Sequence, residues 1–212
     1  AGADGEGLSK RLGSLSIAEL RNNDIEAMSI ASLLARIGTS DPVVPTAQMA
    51  RIIVGFDITR FGRATAKFDP AELAQVNAKV VQELTFAAVA ERLDAVAVGG
   101  GEPFWMAVRD NLSGVGEAGD WWQICTQPIT PVIESANVTS AAADLLPDGD
   151  LEASIWQDWT KAIGAVSGAK GRGLFMPLRL ALTGREKGPE IAPLLAFMGR
   201  ERVLARLRGE TA

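Results

Sequence analysis

The chain has no histidine, a single cysteine and no long apolar run, and each absence narrows what it can do. Without histidine, Ser-His-Asp and Cys-His nucleophilic catalysis are excluded, as are ordinary His-containing zinc sites. Cys125 alone cannot form an internal disulfide, which fits a reducing compartment. No apolar stretch approaches the ~20 residues needed to span a bilayer. The opening Ala1-Gly2-Ala3-Asp4-Gly5-Glu6-Gly7 has neither a basic start nor an apolar centre, so it does not read as a signal peptide. The first residue is not methionine, as expected of a piece cut from a longer protein. What is present is 212 residues, 47% hydrophobic and 22% charged, enough for one large domain or two smaller ones around a real core.

A net charge of −5 argues, taken whole, against a nucleic-acid partner, but its distribution argues the other way. Residues 91–158 carry two arginines against twelve acids, a balance of −10, and residues 161–212 carry ten Lys and Arg against four acids, a balance of +6. Segregation of that kind aims a basic face at phosphate while the remainder keeps the protein dispersed. Near the start, Gly7-Leu8-Ser9-Lys10-Arg11 joins a small hydroxyl and two cations to glycines that let backbone approach a ligand closely. Such a loop suits a polyanion such as a triphosphate, and it also fits a solvated tail.

In chain order, Leu15-Ser16-Ile17 is expected as a short strand. Asp24 is placed to cap an amphipathic helix over 25–37, ended by Gly38. Pro42 and Pro45 bracket a loop, after which Thr46 caps a helix to Val54. Residues 56–69 read as extended and carry Arg60, Arg63 and Lys67. Asp69-Pro70-Ala71-Glu72 reads as N-cap, proline and first-turn acid of a helix that runs toward Val98, with a break near Glu83-Leu84-Thr85. Gly99-Gly100-Gly101 is expected as a helix end and turn, because no Lys-Ser/Thr follows to make a phosphate cradle. Pro103 starts a helix to about Leu112. Phe104, Trp105, Trp121 and Trp122 read as packing aromatics, with Glu117 and Asp120 the charges nearest the latter pair. Pro128 and Pro131 interrupt the chain, a helix resumes over 136–146, and Pro147-Asp148-Gly149-Asp150 is a turn. A helix over 151–166 holds Trp156 and Trp159 as core.

The last sixty residues begin with a glycine-rich basic loop, Ser167-Gly168-Ala169-Lys170-Gly171-Arg172-Gly173, feeding a helix. Lys170 and Arg172 beside that helix start suit an anion or an RNA backbone. Arg185 and Lys187 follow in a second loop, and two short helices close the chain with Arg200, Arg202, Arg206 and Arg208.

Three stretches resemble glutamyl-tRNA synthetases, which are class I aminoacyl-tRNA synthetases. Gly7-Leu8-Ser9-Lys10-Arg11 is similar to their Lys-Leu-Ser-Lys-Arg nucleotide-binding signature loop, with Gly7 where that motif has its first lysine. Phe56-Asp57-Ile58-Thr59-Arg60 with Ala66-Lys67-Phe68-Asp69-Pro70, then Leu73 and Asn77, resembles the segment that meets the inner side of the tRNA L. Leu174 to Gly184, Gly188-Pro189-Glu190-Ile191 and 199–207 resemble the C-terminal signature of the bacterial enzymes. The resemblance implies a mainly α fold: a helical stem-contact module with a few short strands, then a two-part helical anticodon-binding region. It divides the chain into 1–14, the end of a catalytic domain; 15–98, the stem-contact module; 99–150 and 151–212, the two anticodon-binding subdomains.

The resemblance further implies a parent that activates glutamate with ATP and Mg2+ and then esterifies the 3′ end of tRNA-Glu, or of tRNA-Gln in a paralogue. Ser9, Lys10 and Arg11 would be its catalytic loop, Lys10 its ATP contact, and Arg60, Arg63, Lys67, Asn77, Lys170, Arg172, Arg185 and Lys187 its tRNA contacts. This stretch alone is expected to be inactive, without cofactor or metal, monomeric, cytoplasmic and away from membranes. Arg179, inside an apolar helix, is expected to serve the fold. The residues by themselves also admit a freestanding helical RNA-binding or adaptor module, or a protein-interaction scaffold using the acidic 91–158 segment.

Overall fold

The computed structural model describes residues 16–212, and the chain falls into two compact units. One comprises residues within Ala1–Val96 together with Arg109–Glu117, the other Ala97–Val108 with Ala118–Ala212. Among the described residues the secondary structure is helical, with no β-strand, so the mainly α expectation holds and the expected short strands do not form.

Among the described residues the first unit opens with a helix, where Ser16 and Ile17 were expected in a short strand. Ser16 Oγ accepts from the Glu19 amide at 3.1 Å and the Glu19 carboxylate accepts from the Ser16 amide at 2.8 Å. This reciprocal capping box satisfies first-turn donors and opens α1, Ile17–Asn22. Asp24 does not cap the second helix. Its φ is +59, and Glu26 occupies the cap position of α2, Ala27–Leu34. Next come α3, Met49–Gly55, and a 3-10 turn, Ile58–Arg60, in the segment expected to be extended. Asp69 accepts from the Ala71 amide at 2.8 Å and Pro70 opens α4, Pro70–Glu83, as the sequence indicates. The expected break is real: α4 stops at Glu83, Arg109 donates to the carbonyl of Leu84 at 3.3 Å, and α5 runs Phe86–Ala95. Leu20, Leu33 and Leu73 are buried together, with Ile25, Ile30, Val43 and Phe68 against them. By contrast α3 buries no residue, and Ile53 and Val54 stand exposed.

The second unit contains α6, Gly101–Val108; α7, Glu117–Thr126, whose first residue is assigned to the other unit; and α8, Ala136–Asp144. After a 3-10 turn, Ala153–Ile155, come α9, Trp156–Ser167; α10, Arg172–Thr183; α11, Ile191–Met198; and α12, Arg200–Leu207. Helix α8 packs on α9, α10 and α12, while α11 packs on α6 and α12. The Phe104 ring meets Trp122 and Phe197 edge-on at 4.9 and 5.2 Å, and Trp105 is fully buried. Gly100 lies under this cluster at φ +75, and a Cβ there would crowd Phe104, Phe197 and Trp122. A Cβ at Gly99 would likewise meet Trp122, so Gly99 and Gly100 serve aromatic packing in the turn before α6.

Candidate nucleic-acid interface

The expected tRNA contacts separate once their surroundings are known. Asn77 is buried, at 1% exposure, and every hydrogen-bonding capacity of its amide is used within the first unit. Its carbonyl accepts from the Glu26 amide and the Ser29 hydroxyl, each at 2.8 Å, and its NH2 donates to the carbonyls of Asp24 and Ser113 at 3.1 and 2.7 Å. It ties three chain segments together and leaves nothing for RNA. The expectation for Asn77 is corrected accordingly.

Arg60 is exposed but engaged, donating to Asp41 at 2.6 Å with Asp57 at 3.9 Å. The Asp41 bond and charge raise its pKa, so it meets another anion only by sharing or leaving Asp41. Arg63 and Lys67 are exposed and form no ion pair among the described residues.

In the second unit the basic side chains divide in the same way. Arg206, fully buried, donates to the carbonyls of Ala212, Leu182 and Gln127 at 2.8, 2.8 and 2.9 Å. Arg202 reaches the carbonyls of Met198 and Thr126, and Arg200 the carbonyl of Pro147 and the carboxylate of Asp148. Arg179 donates to the Pro189 carbonyl at 2.8 Å, the structural role expected of it, though through a carbonyl and not a carboxylate. Burial lowers its pKa, while Glu190 opposes that shift. These four arginines hold the fold.

Lys170, Arg172 and Lys187 are different: all are exposed and none forms an ion pair among the described residues. Two short loops present them. At the N-terminal end of α10, Gly168 and Gly171 adopt φ +74 and +52, Ser167 Oγ accepts from the Ala169 amide, and Asn137 donates to the Ser167 carbonyl. Gly171 stands at the cap position and no side chain caps the helix. At the far end, Arg185 lies 5.2 Å over the Trp121 ring with Asp120 at 3.8 Å, and Gly188 approaches the same indole so closely that a Cβ would collide with it. The twelve residues of α10 separate the two loops by about 18 Å. One helix thus carries a pair of exposed cations at its start, Lys170 before it and Arg172 as its first residue, and a second pair, Arg185 and Lys187, after its end. The arrangement offers charge-assisted contacts to phosphates spaced along a chain. No group of three or more His, Cys, Asp or Glu among the described residues could hold a metal ion. Ser9, Lys10 and Arg11 lie outside the described residues.

The signal for Asn77 is ambiguous in sequence, since an Asn on an amphipathic helix looks the same facing solvent or facing a loop. Phe175 carries no signal of its own within an apolar run, yet it is 46% exposed, one turn beyond Arg172.

Residues 134–210 match the family described as the anticodon binding domain, and both loops fall inside that segment. The fold agrees with solved structures. A glutamate tRNA ligase from Elizabethkingia meningosepticum, in complex with its amino acid, superimposes over 98% of this chain and 49% of its own, with a TM-score of 0.75 at 19% identity. A glutamate-tRNA synthetase from Elizabethkingia anophelis gives a TM-score of 0.70 over 95% of this chain and 43% of its own, also at 19% identity. In sequence the chain is homologous nearly end to end with glutamate–tRNA ligases. It is 48% identical over 212 residues to glutamate–tRNA ligase 2 of Methylorubrum populi, covering 99% of this chain and 47% of that protein. It is also 48% identical to glutamate–tRNA ligase 1 of Maricaulis maris, covering 100% of this chain and 48% of that protein. The chain thus spans about half the length of the curated relatives it matches.

Proposed function

We propose that this chain is the tRNA-docking portion of a glutamate–tRNA ligase, with α10 and its two basic loops as part of the RNA-facing surface. The observation that carries the reading is the sorting of cations in the second unit. Arg179, Arg200, Arg202 and Arg206 are spent on carbonyls and Asp148, whereas Lys170, Arg172 and Lys187 stay free of ion pairs at the two ends of one helix. A fold that needed those charges internally would have paired them, since an exposed unpaired cation adds little stability. In the first unit, taken by itself, Arg63 and Lys67 are proposed as further RNA contacts, with Arg60 available through exchange with Asp41.

The ligase to which such a portion contributes would join glutamate to tRNA-Glu, or to tRNA-Gln in a paralogue, using ATP and Mg2+. Ser9, Lys10 and Arg11 would belong to its nucleotide loop, and the 212-residue chain alone would hold neither cofactor nor activity. A monomer in the cytoplasm is the expected setting; no described helix is long and apolar enough to cross a membrane. The division into a stem-contact module over 15–98 and anticodon-binding subdomains over 99–150 and 151–212 is part of the proposal.

The test is a titration with a tRNA-Glu transcript at several salt concentrations. Each phosphate contact contributes about 0.7–0.9 to the slope of log affinity against log salt, so Lys170→Ala with Arg172→Ala should flatten it by up to ~2. An unchanged slope would remove the loop from the interface.

A further inference from the structure

We propose that Phe175, braced by Trp156, is a stacking platform for an unpaired nucleobase of the bound RNA, with Arg172 and Lys170 taking the adjoining phosphates. The inference rests on the RNA-docking reading above and adds to it a named site for a base.

Phe175 is out of pattern for its helix. Of the other large apolar residues of α10, Leu174, Leu178 and Leu182 are buried and Met176 and Leu180 half-buried, whereas Phe175 is 46% exposed. Behind it stands a graded aromatic support. The Phe175 ring lies 6.3 Å from that of half-buried Trp156, tilted by 33°, and Trp156 meets Trp159 edge-on at 5.7 Å and 71°. Trp159 is buried and its indole N–H donates to the Ala142 carbonyl at 3.2 Å, which fixes the last ring of the series. The exposed ring is thus held in place by the core, and little order remains to be imposed when a ligand arrives. The indole N–H of Trp156 makes no hydrogen bond among the described residues, leaving a donor beside the ledge.

The charges select the kind of ligand. Arg172 precedes Phe175 by three residues and so shares its face of α10, and Lys170 lies two residues earlier, both exposed and without an ion pair. Asp158, two residues after Trp156, is about 200° around α9 from it and so falls on the opposite side. An aromatic face flanked by cations is the arrangement that binds single-stranded nucleic acid: every base offers a π-face and every linkage a phosphate.

The experiment uses the 212-residue chain with a tRNA-Glu transcript and its isolated anticodon stem-loop. Phe175→Ala should weaken both complexes by about 10-fold or more with the salt slope unchanged, because a stacked base contributes affinity but no counterion release. Phe175→Trp should restore affinity. Phe175→Leu, which keeps apolar packing on Trp156 but no aromatic face, should stay weak, and it decides the matter if the alanine variant is unstable. If the wild-type chain binds the RNAs and Phe175→Leu binds equally well, the platform is overturned while RNA docking stands. If the wild-type chain binds neither RNA, the docking proposal itself fails, and the platform with it.

Discussion

Cys125 is fully buried on α7, and its thiol is pushed up from 9.0 to about 12 by burial, against the opposing pull of Arg206 and then Arg202. An unfolded chain gives up that proton near 9.0 and the folded chain holds it to about 12. Between those values the unfolded state binds fewer protons, so stability is intact below 9.0 and falls as pH rises toward 12. The melting temperature of the wild-type chain should therefore drop more steeply between pH 9 and 11 than that of Cys125→Ala; parallel curves would show the thiol is not the cause. The same burial should keep native Cys125 inert to alkylating reagents at neutral pH. Asn77 illustrates a comparable point for polar groups. A residue that looks like a contact for an external partner is consumed by four internal ones, and no helical periodicity distinguishes the two.

At the scale of elements, α10 is the organising piece of the candidate interface, and its flanking loops are set by different means. The N-terminal loop turns on glycines at positive φ with few contacts, as befits a loop that receives a ligand. The C-terminal loop is pinned: Arg179 holds the Pro189 carbonyl, Thr183 Oγ1 accepts from the Arg185 amide at 3.1 Å, and Gly188, at φ +144, lies flush on Trp121. Gly188→Ala should cost about 1–3 kcal/mol, since its methyl group would occupy the indole's place on a backbone conformation that L-residues avoid. The expected readout is a lower melting temperature with a changed near-ultraviolet tryptophan signal. A neutral substitution would mean that the loop is not seated on Trp121. Pro177 stands inside the same helix, the sixth of its twelve residues. Its missing N–H leaves the Gly173 carbonyl without its helical donor.

For the whole molecule, two compact units imply that stability is not a single quantity. Asn77→Ala strips four hydrogen bonds from the first unit, and Arg206→Leu removes three from the second, leaving the buried Leu182 carbonyl without its arginine donor. Each should cost about 2–4 kcal/mol, because unpaired buried polar groups bear their full desolvation penalty. Native-state hydrogen exchange should show protection lost first in the unit that carries the substitution. Uniform loss across both units would instead mark one cooperative structure. Neither variant should alter the salt slope of RNA binding, which belongs to exposed cations.

Much of this protein is legible before its folding is seen. The Asp69-Pro70-Ala71-Glu72 start, the break at Leu84-Thr85, the proline interruption at 128–131 and the turn at 147–150 all rest on local chemistry: fixed φ, missing N–H groups and short-range capping. The absence of histidine and the basic loop before Leu174 are legible for the same reason, because they depend only on which residues are present. The Ser16–Glu19 capping box is local too, yet the apolar-polar-apolar order of Leu15-Ser16-Ile17 reads equally as a strand and hides it. What the tertiary structure alone decided is which polar and charged groups are spent. Asn77 bonds to Glu26, Ser29, Asp24 and Ser113, and Arg206 bonds to Gln127 and Leu182, across separations that no helical or strand period encodes. A cation is free for a phosphate only when folding brings no carbonyl or carboxylate within reach, and that is a property of three-dimensional neighbours.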